Sequence, residues 1–230
     1  MELIDFHAHI LPHMDHGSTH TATAKEQLTL IRSAGVNTVC ATSHFYPQDV
    51  LPEVFLEERR DSLKQLLAAM GAEKRPRIML GAEVLICKGL EKMEGLRSLC
   101  VEGTDVLLLE MPFTHDSWDR DLYHTVYEMK KQGLRIVLAH VDRYPVDLIE
   151  EMFDMGLQGQ INAGSLAKLF KPKHLVRWID EGNIVALGSD LHGCDPKSYA
   201  PYTKIVNSMA DRVERIMEAT SVLLQDAKKY

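Results

Sequence analysis

Near its start the chain reads Glu2-Leu3-Ile4-Asp5-Phe6-His7-Ala8-His9-Ile10-Leu11-Pro12. The apolar and β-branched residues over Glu2–Phe6 predict a strand. His7-Ala8-His9 stands at its carboxyl end. Residues i and i+2 of a strand project to one side, so both imidazoles can reach a single ion. The plain alternative is two histidines satisfied by backbone carbonyls. Working outward, six more runs carry the strand pattern: Asn37–Ala41, Arg77–Leu80, Asp105–Leu109, Leu134–Leu138, Leu157–Ile161 and Ile184–Leu187. The intervals are mostly helix-patterned. Thr21–Ala34, Val50–Met70, Asp119–Gln132 and Pro145–Met155 each run into a glycine stop, and His174–Asp180 precedes Gly182. Tyr202–Lys228 reads as a terminal helix broken once. Strands alternating with helices imply parallel pairing and right-handed crossovers. Seven strands predict an α/β barrel or near-barrel, with a doubly wound open sheet as the alternative. No GxGxxG follows the first strand, which argues against a dinucleotide fold.

The residues after each strand share a chemistry. The first strand leads to His7 and His9, the second to His44, the third to Glu83, the fourth to Glu110 and the fifth to His140. The sixth leads to Asn162, and the seventh to Asp190 and His192. In α/β barrels this rim is where active sites are built. A single acid after a strand is ordinarily a helix cap or a solvated residue. Ligand-type side chains on six of seven strands form a pattern. Asp190-Leu191-His192 repeats the i, i+2 spacing on the last strand, which neighbours the first in a closed barrel. Imidazole and carboxylate suit zinc, manganese and iron. A carboxylate shared between ions polarises a phosphoryl oxygen and lowers the pKa of water, the chemistry of a multinuclear hydrolase.

Composition narrows the field. Of 230 residues, 45% are apolar and 26% charged, which excludes a disordered or fibrous chain. The length suits one domain over 1–230. The net charge of −7 and the lack of a Lys/Arg block argue against nucleic acid. No run is long and apolar enough to span a bilayer, and the start lacks a signal-peptide pattern, so a cytoplasmic location is expected. Cys40, Cys87, Cys100 and Cys194 show no CxxC spacing and read as reduced thiols. Five of the 11 histidines (His7, His9, His13, His16 and His20) crowd the first 20 residues, more than packing alone explains.

The opening motif, Ala41-Thr42-Ser43-His44, Gly81-Ala82-Glu83, Leu109-Glu110-Met111-Pro112-Phe113, Ala139-His140 with Arg143, Ala163-Gly164-Ser165-Leu166 and Ser189-Asp190-Leu191-His192 together resemble the PHP-domain phosphoesterases. The likeness is to the CpsB/YwqE-type bacterial tyrosine-protein phosphatases of capsule and exopolysaccharide operons, and it spans residues 4 to 192. It implies a distorted (β/α)7 barrel holding two or three divalent metal ions. It implies one metal site from His7, His9, Glu83 and Asp190. A second shares Glu83 and adds Glu110 and His140, and a third uses His16, His44 and His192. Arg143 is implied as the phosphate-binding fork, with His44 or His192 as proton donor to a poor leaving group. The implied substrate is a phosphotyrosine-containing protein such as the tail of a bacterial tyrosine kinase.

Two departures bear on that picture. Relatives carry Asp-Asp-Gly where this chain has Asp15-His16-Gly17, so either His16 replaces a ligating Asp or a shifted loop presents Asp15. Relatives also carry an arginine where Lys197 stands, which keeps the charge and loses the bidentate fork. A small-molecule phosphatase of the same fold, of the histidinol-phosphate type, and a catalytically weak metal-containing binding module are the competing readings. An amidohydrolase is less favoured, because no strand end carries a lysine to carboxylate. His13 is expected near the mouth, and His20, His115, His124 and His174 at the surface. Phe45 and Trp118 are expected in ordinary packing, with a substrate-lining role as the alternative.

Overall fold

The structure, a computed structural model, describes residues 2–114 and 117–225. Nine strand segments fall at seven strand positions. They are β1 (Ile4–Ala8), β2 (Thr38–Ala41), β3 (His44–Phe45), β4 (Arg77–Leu80), β5 (Glu83–Leu85), β6 (Val106–Glu110), β7 (Arg135–Leu138), β8 (Gln158–Asn162) and β9 (Ile184–Gly188). Two predicted strands are each bent into two segments. The second breaks at Thr42-Ser43, and the third at Gly81-Ala82. All pairings are parallel, in the orders β1-β2-β4 and β3-β5-β6-β7-β8-β9. The ring closes where the last strand meets the first. Asp190 N–H donates to His7 O (2.7 Å), and His9 N–H donates to Leu191 O (3.2 Å). The result is the distorted (β/α) barrel that the sequence predicted.

The helices follow from the same sequence signals. They are α1 (Thr21–Ser33), α2 (Pro52–Met70), α3 (Arg120–Lys131), α4 (Val146–Asp154), α5 (Ala163–Leu166), α6 (Lys173–Asp180), α7 (Pro196–Ser208) and α8 (Ala210–Gln225). Asp119 caps α3 by accepting from Leu122 N–H (3.0 Å). The terminal helix differs from expectation at its start. It begins at Pro196 rather than Tyr202, because Asp195 caps it and Pro196 sits in the first turn, where a missing N–H costs nothing. Pro201 lies inside α7, and the break falls at Met209. Residues 226–228 of the expected helix, and His115, lie outside the described residues.

Apolar faces of these helices cover the barrel. Leu28 and Ile31 of α1, Leu66 of α2, Ile149 of α4 and Trp178 of α6 are buried in one continuous core. Each such side chain contributes roughly 1.5–3 kcal/mol on leaving water. Cys40 and Cys100 are buried, Cys87 and Cys194 half-buried, and all four are free thiols. Burial pushes the Cys100 thiol up to about 12, so it is inert at neutral pH.

Candidate metal centre

The bends in the second and third strands aim His44 and Glu83 toward the carboxyl-terminal mouth. There they meet the side chains of β1, β6, β7 and β9. Glu83 Oε2 is the hub. It lies 3.1 Å from His7 Nε2, 3.2 Å from His9 Nε2 and 3.1 Å from His44 Nδ1. Its other oxygen, Oε1, is 2.8 Å from His140 Nε2. Glu110 approaches His140 (3.5 Å) and His44 (3.8 Å), and Asp190 approaches His9 (3.4 Å) and His7 (3.6 Å). His7, His9, Glu83 and His140 are at most 1% exposed.

Backbone conformation is spent on this arrangement. His140 and Asp190 have φ of 31° and 52°, a left-handed region that costs a non-glycine residue about 1–3 kcal/mol. Two glycines allow close approach. A Cβ on Gly17 would lie 2.2 Å from His9 Cβ, and one on Gly188 would lie 2.6 Å from His7 Cβ. Any side chain at either position would displace an imidazole.

The layer behind the cluster fixes which nitrogen faces it. Gln160 Oε1 accepts from His140 N–H (2.7 Å), so the amide oxygen faces His7 and His7 Nδ1–H donates to it (3.0 Å). Asp15 Oδ2 accepts from His9 Nδ1–H (2.8 Å) and from His44 N–H (3.0 Å). Its Oδ1 accepts from Gly17 N–H (2.9 Å). Both imidazoles therefore turn an Nε2 lone pair inward, and the two Nε2 atoms are 3.1 Å apart. Two facing lone pairs at that distance repel unless a proton or a cation lies between them. Glu83 Oε2, His44 Nδ1 and His192 Nε2, all at the cluster, are buried without an aligned hydrogen-bond partner among the described residues. Such orphaned atoms call for an explanation, and a bound ion supplies one.

Electrostatics point the same way. Burial works against charge on His7, His9 and His140, but the neighbouring carboxylates outweigh it and raise all three, His140 to about 9. Despite burial, Glu83 and Asp190 are held well below the usual carboxylate range by the facing imidazoles, with Arg143 also lowering Asp190. The pocket thus favours positive charge. His192 and His44 shift the other way: burial lowers both, His192 to about 4.

Three groups place ligand atoms within 4.8 Å of one another: His7, His9 and Asp190; His44, Glu83 and Glu110; and His9, His44 and His192. His16 is exposed, its ring centroid 4.5 Å from that of His192 and 5.1 Å from that of His44. Asp15 spends both oxygens on hydrogen bonds and acts on His9 rather than facing the cluster directly. Arg143, in a turn after His140, donates to Asp190 and lines a cleft of about 390 Å³. Lys168, Ser165 and Ser198 line the same cleft, whereas Lys197 is exposed on the first turn of α7 and is not among its lining residues.

Sequence reasoning missed the supporting layer. Gln160 and Asn162 form a relay in which Gln160 Nε2–H donates to Asn162 Oδ1 (2.8 Å) and Asn162 Nδ2–H donates to Asp190 (3.0 Å). Buried Asp5 accepts from Ser189 N–H (2.9 Å), Ser189 Oγ–H (2.6 Å) and Tyr199 O–H (2.9 Å), tying the first strand to the last. Asp142 accepts from Asn162 N–H (2.8 Å) and Ser165 Oγ–H (2.6 Å), which pins the turn after β8. A signal existed for Gln160 and Asp5, since polar residues stand inside otherwise apolar strands. The aromatic neighbours also differ from those weighed. Trp118 and Phe45 are buried in packing, whereas Tyr46 stacks on His44 (5.3 Å) and exposed Phe113 stacks on His140 (5.7 Å). His13, His20 and His124 are exposed, and His174 packs on Trp178 (4.9 Å).

Residues 3–229 match the family model for capsular polysaccharide synthesis proteins, CpsB/CapC. The chain belongs to the CpsB/CapC family. It is 27% identical over 210 residues to the tyrosine-protein phosphatase YwqE of Bacillus subtilis, covering 86% of this chain and 80% of that protein. Among solved structures it is similar to one from a study of YwqE from Bacillus subtilis and CpsB from Streptococcus pneumoniae, reported as metal-dependent tyrosine phosphatases. That match has a TM-score of 0.80 and 23% identity, over 97% of this chain and 95% of the other. A TatD-family hydrolase from Entamoeba histolytica shares the fold at TM-score 0.59 and 8% identity, over 97% and 98% of the two chains.

Proposed function

We propose that this CpsB/CapC protein is a metal-dependent phosphomonoester hydrolase acting on phosphotyrosine in proteins. The observation that carries the proposal is the Glu83 hub, one buried carboxylate oxygen within 3.2 Å of three imidazole nitrogens, two of which, on His7 and His9, turn a lone pair inward. The reported activity of YwqE supplies the substrate class. A tyrosine-kinase tail in capsule or exopolysaccharide synthesis, met in the cytoplasm, is the partner that fits the family. No helix among the described residues is long and apolar enough to cross a membrane.

His9 has one nitrogen to offer, because Nδ1 is bound to Asp15. His7, His9 and Asp190 would hold one ion and Glu110, His140 and His44 a second, with Glu83 between the two groups. His192 and His16 at the mouth would hold a third, where imidazole ligands would favour zinc over manganese or iron. Divalent ions held there supply Lewis-acid polarisation of the phosphoryl group and lower the pKa of water. Arg143 binds the phosphoryl oxygens at the rim, with Lys168 beside it in the cleft and Lys197 as a more distant charge. Tyr46 and Phe113 present ring faces for the substrate's phenyl group. We assign His44 and His192 to metal, because both face the cluster with a nitrogen that has no hydrogen-bond partner among the described residues. A phenolate, of pKa about 10, leaves without strong acid assistance.

The test is hydrolysis by protein reconstituted with manganese, with a phosphotyrosyl peptide set against small phosphomonoesters such as histidinol phosphate. Peptide turnover that stops on chelation supports the proposal. Preference for the small esters, or no turnover by fully metallated protein, overturns it.

A further inference from the structure

We propose that the loop between α5 and α6 is a membrane-contact element that seats the mouth of the barrel against an anionic lipid surface. Its tip is Leu169-Phe170, two adjacent apolar side chains that are each 86% exposed, more than any other large apolar residue of the described chain. Lys168, Lys171 and Lys173 flank the tip, and none makes an ion pair among the described residues. The loop is propped outward. Lys204 of α7 donates to Ala167 O (2.5 Å), and Pro172 fixes the backbone at the start of α6.

Placement gives the tip a use. The loop follows β8 and the short α5, so it rises from the same rim as the metal cluster. Lys168 belongs to both regions, since it also lines the cleft beside Arg143. Phe113, 58% exposed after β6, adds an apolar residue on that rim.

A lipid surface fits better than a protein partner. A two-residue convex tip offers little area to a flat protein surface, but it enters the headgroup–acyl boundary readily. Lysine stems lie along apolar surface while their ammonium groups stay wet, and they meet anionic headgroups. The chain as a whole carries −7, so general attraction to an anionic surface is absent and contact must come through this patch. The inference stands apart from the hydrolase reading, because partition onto vesicles is measured without turnover.

Co-sedimentation with phosphatidylcholine vesicles, with and without phosphatidylglycerol, tests it. The protein is expected on the anionic vesicles only, with binding that weakens as salt is raised. Leu169→Ser/Phe170→Ser is expected to abolish binding, and Lys171→Gln/Lys173→Gln to weaken it by roughly 30-fold, about one lysine-sized step per charge. Phe170→Trp gives a second readout, an emission blue shift on adding anionic vesicles that the wild-type protein does not show. The proposal is overturned if the wild-type protein stays in solution, if the Ser variant binds equally well, or if the emission of the Phe170→Trp variant does not move. It is also overturned if the Ser variant loses only turnover of a phosphorylated protein while vesicles are never bound, which would make the tip a protein-docking surface.

Discussion

The cluster has an inner and an outer half, and they are built differently. Inside, four members have a partner that fixes them: His7 has Gln160, His9 has Asp15, Glu83 has His140, and Asp190 has Asn162 and Arg143. Toward the mouth, the His192 side chain is 30% exposed and its Nδ1–H donates only to the carbonyl of Asp190 (3.0 Å). His16 is exposed with no hydrogen bond among the described residues. Fixed ligands hold an ion without reorganising, while loosely held ones leave room where substrate must enter. On the proposed reading the inner half would be the binding scaffold and the outer half the adjustable edge.

That contrast is open to attack in order of expected effect. Glu83→Gln should hurt most, because it removes the charge shared by the inner sites. Elemental analysis should find the metal lost and hydrolysis at background, with Asp190→Ala and His9→Ala close behind. Full metal content and activity in any of the three would break the assignment. Next come the supporting residues. Gln160→Leu and Asp15→Asn should weaken metal affinity by about 10- to 100-fold, the usual cost of losing an outer partner, as read by competition with a chelating dye. His16→Ala should act less, with the inner ions retained and only the weakest equivalent lost in a metal titration. Equal losses from His16→Ala and Gln160→Leu would erase the distinction between the halves.

The smallest effect lies on the far surface. Hydrogen bonds from Arg212 and then Arg215 lower Asp180 to about 2. The contribution of a depressed carboxylate is complete above its ordinary value of 3.8 and disappears as pH falls through about 2. Asp180→Asn should therefore lower the melting midpoint slightly at pH 7 and not at pH 2. The group is solvent-exposed, so the shift should be small and shrink further in salt. Metal content should not move.

How much of this was legible depends on the range over which each feature acts. The strands and the His, Asp and Glu side chains at their ends were readable because alternation and residue type are local. His7-Ala8-His9 and Asp190-Leu191-His192 announce themselves within three residues. The bends at Thr42-Ser43 and Gly81-Ala82 were not readable, since they arise from closing the barrel. The relay from Gln160 through Asn162 to Asp190 joins two strands, and no local pattern encodes it. Nor does local spacing reveal that Asp15 faces the back of His9 while His16 faces outward. The start of α7 was missed although its signal is local, an Asp195 cap followed by Pro196 in the first turn.

Anomalous scattering from crystals grown with manganese would test the central claim most directly. Strong peaks are expected against Glu83, one shared with His7, His9 and Asp190 and another with Glu110 and His140, at metal–ligand distances of about 2.0–2.3 Å. Crystals with full manganese in the mother liquor and no peak within coordination reach of Glu83 would contradict it.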